Sequence, residues 1–214
     1  MRLKRIKNFV LSFLDYLASI SKKIWKSSIT WSICLCMVGY FVGITHERWK
    51  QESIKRIEVV KTIDMKKQTY VAWMYENSNE SKKTLNEIYD ITEQNHAFRD
   101  LLISLVVVES GLNHKAASSK GAFGLCQVRS SVWLGELKTA GILKDERDLW
   151  DIDTNIAAGS YIFKKYLKKS SGNVRTALTR YVGAEINSTD ANVYVDKILK
   201  NMGELMLLNM SGIS

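Results

Sequence analysis

Three observations predict a mainly α-helical chain in which one membrane-spanning helix and a helical stalk precede a compact domain. Proline is absent from all 214 residues, whereas average usage of about 5% would supply roughly ten. Apolar residues recur at helical spacing in several long segments. A run without charge extends from Ser28 to Thr45, close to the ~20 residues that cross hydrocarbon. With 46% apolar residues, the chain can bury one good core. It also exceeds the usual domain length of about 150 residues, so an appendage is expected.

The formal charge of +9 is unevenly spread: residues 1–30 carry +6, residues 31–95 are neutral and residues 96–214 carry +3. Most of the excess therefore forms a basic tail over residues 1–27, ahead of the charge-free run. Such a tail is a membrane-proximal feature more often than a nucleic-acid site. No helix or loop interleaves basic and aromatic residues, so no nucleic acid partner is expected. Ile6 to Ile20 is at best an interfacial amphipathic helix, because it is short and contains Asp15.

Residues 28–45 are assigned as a transmembrane helix and the point of membrane contact. No small-x-small cleavage site follows the run, and Trp31 and Tyr40 suit membrane interfaces. The charge-bias rule gives no orientation, since seven Lys and Arg precede the run in residues 1–27 and seven follow it in residues 46–72. Residues 46–83 read as a helical stalk or linker. Ile54, Ile57, Val60 and Ile63 recur there at helical spacing among many charges, with Tyr70, Val71 and Met74 continuing less regularly. A continuous helix from Glu47 to Tyr75 would reach on the order of 40 Å at 1.5 Å per residue.

The polar stretch Glu76 to Lys83 lacks apolar periodicity and places the boundary of the compact domain at residue 84, so that the domain covers 84–214. Leu101 to Val108 is a short apolar run that periodicity assigns equally to a buried strand or a buried helix. Asn155 to Lys169 reads as a helix, Ser170 to Asn173 as a turn, and Val174 to Tyr181 as a short helix ending near Gly183. Val195, Ile198, Leu199, Met202 and Leu205 form a last amphipathic stripe.

Two of the three cysteines, Cys34 and Cys36, fall in the expected span, so Cys126 stands alone and no disulfide framework is expected in the remainder. His46, His96 and His114 are scattered without metal-ligand spacing, and neither a metal nor a cofactor is expected.

The informative stretch is Glu109 to Gln127, ESGLNHKAASSKGAFGLCQ. It resembles the signature of lytic transglycosylases related to goose-type lysozyme. That signature begins Glu-Ser, passes through Asn-Pro and Ala-x-Ser, and closes with Gly-Ala-x-Gly-Leu-Met-Gln. Glu109, Ser110, Asn113, Ala116, Ser118, Gly121, Ala122, Gly124, Leu125 and Gln127 stand at the matching places. Downstream, Asn155-Ile156 with Gly159 and Tyr161 is similar to the family's Asn-Ile motif. Tyr181 with Gly183 occupies its Tyr-Asn-Ala-Gly site, and Tyr194-Val195 resembles the closing helix. The likeness covers roughly residues 95–200.

The resemblance implies a lysozyme-like helical domain acting on peptidoglycan glycan strands. It implies cleavage between N-acetylmuramic acid and N-acetylglucosamine without water, leaving a 1,6-anhydro end. Glu109 would be the general acid and then the base, while Ser110 and Gln127 would contact Glu109 or the sugar. Tyr181 would orient the catalytic carboxyl, and Asn155 would support the site. The residues alone offer blander readings: Glu109 as a helix-terminal surface carboxylate, Tyr181 as a buried tyrosine needing a partner, and Asn155 as a helix cap. Apolar neighbours supplied by Leu101 to Val108 would raise the Glu109 pKa, which general acid catalysis requires. Glu136, Asp148, Asp151 and Glu185 then need no catalytic role and read as solvated.

Four departures stand out: His114 and Ile152 replace prolines, Cys126 replaces methionine, and Val182 replaces the asparagine after Tyr181. Val182 bears on substrate contacts near Tyr181, and Cys126 reads as a small apolar packing residue. A hydrolytic muramidase on the same fold and a non-catalytic glycan-binding membrane scaffold stay open as alternatives. The expected place is the outer side of a bacterial inner membrane, with a secretion system, a conjugation apparatus or a membrane-bearing phage particle open as the larger partner.

Overall fold

The structure is a computed structural model that describes residue 12 and residues 28–94, 98–183 and 188–211, with the side chains of 28–35 outside the description. Its order is α1 (Ser28–Glu76), α2 (Lys82–Glu93), α3 (Arg99–Ser110), β1 (Ala122–Phe123), β2 (Val128–Arg129), α4 (Ser130–Thr139), a 3-10 turn (Glu146–Trp150), α5 (Ile152–Lys169), α6 (Val174–Val182) and α7 (Thr189–Ser211). The mainly helical class expected from the sequence is observed. The basic tail and the amphipathic stretch Ile6 to Ile20 lie outside the described residues apart from Ser12.

No helix among the described residues is long and apolar enough to cross a membrane, and the first half of the span expected over residues 28–45 has its side chains outside the description. Described side chains of that run begin at Cys36.

The chain divides into two compact units, residues 1–59 and 60–214. In the first, the described side chains of α1 are almost all exposed, Trp49 and Ile57 among them. The second holds the core and begins earlier than the boundary at residue 84 read from the sequence. Tyr70 and Met74 of α1 are fully buried with Leu85 and Ile88 of α2. Those α1 residues explain the irregular apolar continuation seen in the sequence: they face the domain core, whereas Ile54 to Ile63 are exposed.

Within this unit α3 is the central helix, with every residue from Leu101 to Val106 buried. A helix apolar all round can exist only where other elements cover every face, which settles the Leu101 to Val108 run as helix. Ile103 and Val106 join the core cluster that contains Leu125, Leu149 and Ile156, whereas Leu101 and Leu105 join Phe163, Leu178, Val195 and Ile198. The first turn of α3 is anchored by Arg99, which is buried and donates to Glu93 at 2.6 Å, Asp100 at 2.8 Å and Tyr70 Oη at 2.7 Å. Tyr70 in turn donates to Asp100 at 2.9 Å. This network fastens the end of α1 and α2 to the start of α3.

Caps set the other boundaries. Ser81 accepts from Thr84 N at the start of α2, Asp151 from Thr154 N at the start of α5, and Asn173 from Thr176 N at the start of α6. Asn155 is therefore not the cap of its helix. Ile152, standing where the family has proline, is the first residue of α5 and is buried. It loses the preset φ that proline brings to this position but adds apolar packing.

Candidate active site

Glu109 lies in the last turn of α3, and that turn ends at Gly111, the left-handed C-cap (φ 61°), whose N–H reaches the carbonyls of Val106 and Val107. Leu112 follows, also left-handed at φ 65° and fully buried. The chain thus reverses immediately after the carboxyl group, which the buried body of α3 carries into apolar surroundings. His114, where the family has proline, places Nδ1 3.3 Å from Glu80 Oε1, tying the loop after Glu109 to the connection between α1 and α2.

Burial pushes the Glu109 carboxyl up to about 7, against the opposing effect of a hydrogen bond that the Tyr194 hydroxyl donates to Oε1. Desolvation disfavours the charged form and the donated hydrogen bond favours it; here desolvation wins. No second carboxylate perturbs Glu109 among the described residues. Near neutrality the group is poised between acid and base.

Beside α4 and α5 lies the small hairpin β1–β2, paired Ala122 to Arg129 and Phe123 to Val128. Gly124 (φ 70°) lies in its turn, where an added Cβ would stand 2.3 Å from Asn155 Nδ2 and 2.7 Å from the Leu149 carbonyl, so no side chain fits. Asn155 is buried and satisfies three backbone groups at once. Its Oδ1 accepts from Cys126 N at 2.8 Å, and its Nδ2 donates to Phe123 O at 3.0 Å and Leu149 O at 2.7 Å. Its role is to staple the hairpin turn to α5. Gly159, one turn further on, leaves room for Cys126, whose Sγ would lie 2.4 Å from an added Cβ. Cys126 is fully buried and burial pushes its thiol up, so it packs rather than reacts.

The remaining expected site residues make their own contacts around this frame. Tyr181 in α6 donates to the Cys126 carbonyl at 2.9 Å instead of orienting Glu109. Gln127, left-handed at φ 46°, donates to Ala116 O at 3.2 Å and Gly124 O at 2.9 Å, so its amide shapes the loop. Ser110 Oγ donates back to Val106 O at 3.1 Å within α3. The hydroxyl that meets Glu109 belongs to Tyr194 of α7, to which sequence reasoning gave no role. A signal was present, because Tyr194 falls on the buried side of the last stripe with Ala191, Val195 and Ile198.

The other acids are accounted for structurally. Glu136 pairs with Lys165 and accepts from Tyr161 Oη at 2.9 Å, Asp148 completes a capping box with Asp145, and Asp151 caps α5. Glu185 lies outside the described residues. Among the described residues no group of three His, Cys, Asp or Glu side chains is placed to hold a metal ion.

What the arrangement offers is one half-buried carboxyl of raised pKa, a phenol donating to it, and a rigid hairpin beside it. No curated protein matches the chain. Residues 87–200 match the family model described as Transglycosylase SLT domain, and this match over more than half of the sequence means that the chain belongs to that family, whose activity is directed at peptidoglycan.

Proposed function

We propose that the domain is a peptidoglycan lytic transglycosylase in which Glu109 alone serves as general acid and then general base. The observation that carries this reading is a single half-buried carboxyl group whose pKa burial raises to about 7, with no carboxylate partner among the described residues. Glycosidases that use water or a covalent intermediate ordinarily need two carboxylates at fixed separation. One suffices if the substrate supplies its own nucleophile. Protonated Glu109 donates to the glycosidic oxygen as the bond from N-acetylmuramic acid to N-acetylglucosamine breaks. The carboxylate so formed takes the proton of the C6 hydroxyl as that oxygen attacks the anomeric carbon, closing a 1,6-anhydro ring. Tyr194 holds the carboxyl in place and eases the ionised half of the cycle.

Digestion of purified peptidoglycan by the chain, followed by mass analysis of the fragments, tests the proposal. Anhydro ends are expected. Reducing ends would instead establish the hydrolytic muramidase, and intact strands the glycan-binding scaffold. The place of action that fits this substrate is the outer side of the bacterial inner membrane, with the N-terminus cytoplasmic and the domain serving a secretion, conjugation or phage machine. Protease added outside spheroplasts then removes the domain, whereas full protection would overturn that sidedness.

A further inference from the structure

Arg129 ends β2, and its side chain is exposed and makes no ion pair or hydrogen bond with the described residues. Its guanidinium lies against Gly183, where an added Cβ would stand 3.0 Å from Nη2. Gly183 is the left-handed cap of α6 (φ 71°), so a side chain there would be both strained and crowded, and the backbone leaves the guanidinium its place. The two segments that Arg129 bridges are bonded to each other close to Glu109. Cys126, three residues before it, and Tyr181, two residues before Gly183, are joined at 2.9 Å, and both titrations feel the Glu109 charge. Arg129 therefore sits at the exposed end of a wall whose buried part, Cys126 and Tyr181, lies near the reactive carboxyl. Beside it stands the half-exposed side chain of Val182, apolar where the family has asparagine.

Resting on the function proposed above, we propose that Arg129 is a specificity-determining residue that takes a carboxylate on the lactyl branch of muramic acid. A planar guanidinium without an ion-pair partner among the described residues matches a carboxylate with two parallel hydrogen bonds. The same chemistry could meet the free lactyl carboxylate of denuded strands or a carboxylate of the stem peptide.

The test uses the full chain carrying Glu109→Gln, so that ligands bind without being cleaved, and measures affinity for three oligomers of equal length. These are chitin oligomers, which lack the lactyl branch, denuded peptidoglycan strands, and strands bearing stem peptides. The expected result is a preference of at least tenfold for a carboxylate-bearing oligomer over chitin. Adding Arg129→Gln abolishes that preference and Arg129→Lys retains part of it. Whichever arm loses affinity identifies the carboxylate. No preference in the parent, or a preference that survives Arg129→Gln, overturns the inference while leaving the transglycosylase reading in place. Failure of the parent to bind any of the three removes both.

Discussion

The two ends of α3 bury charge in opposite ways. At the first turn, burial alone would favour neutral Arg99, but hydrogen bonds to Asp100 and Glu93 outweigh it and hold the guanidinium charged. At the last turn, Glu109 has no cation beside it among the described residues, only the Tyr194 hydroxyl, and burial drives it towards the neutral form. A compensated charge is a structural anchor. An uncompensated one is a proton held in reserve, at an energetic cost that the rest of the fold carries. The comparison separates stability from chemistry on a single helix, and it can be broken at either end.

The largest effect is expected at the chemical end. Glu109→Gln keeps shape and hydrogen bonding but removes the transferable proton, so cleavage of peptidoglycan falls by about 10³-fold, within the range for lost general acid–base catalysis. Cleavage retained to within tenfold in a fragment-release assay would mean that another group does the chemistry. At the structural end, Arg99→Leu leaves Glu93 and Asp100 without their shared cation and Tyr70 without a donor. The expected loss is about 3–5 kcal/mol, read as a large drop in the denaturant midpoint. An unchanged midpoint would show the network to be ornamental.

Smaller effects distinguish the two tyrosines. Tyr194→Phe removes a donor that favours ionised Glu109, so the pKa moves further up. The alkaline limb of the pH–rate profile, which reports loss of the acid, shifts to higher pH, with about a tenfold fall in rate from the lost hold on the carboxyl. Tyr181→Phe instead strips one hydrogen bond from the Cys126 carbonyl, costing about 1 kcal/mol of stability, and leaves the limb where it was. A limb that moved with Tyr181→Phe would restore the role the sequence suggested for it.

The same logic gives a pH-dependent stability. In the unfolded chain Glu109 titrates near the ordinary 4.5, and in the fold at about 7. Below the first value both states hold the proton and the group is neutral to stability. As pH rises between them, the unfolded state releases its proton first, so stability falls until the folded group also ionises. Glu109→Gln therefore leaves unfolding stability unchanged at pH 4 and raises it at pH 8 by on the order of 1–3 kcal/mol, read as a higher melting temperature.

Much of this frame was legible in the sequence, and the misses have physical reasons. Helices α5, α6 and α7 carry clean periodicity because each has one wet face. Helix α3 does not, since it is buried all round, and its run reads equally as strand or helix until the fold shows its faces covered. Residues Tyr70 and Met74 looked like stalk because the sequence around them is charged; the partners of Tyr70, Arg99 and Leu205, are distant in the chain. The hairpin, with strands of two residues each, is too short for any alternation to register. The Glu109 motif located the site, but spacing along the chain could not say which of two tyrosines, Tyr181 or Tyr194, would reach it. Both are close in the fold, and the choice rests on where each hydroxyl points.

Titration of the Glu109 carboxyl carbon by NMR in the intact chain, assigned by comparison with Glu109→Gln, tests the central claim most directly. A midpoint near 7 is predicted; a midpoint near 4.5 in an enzyme that still cleaves peptidoglycan would contradict it.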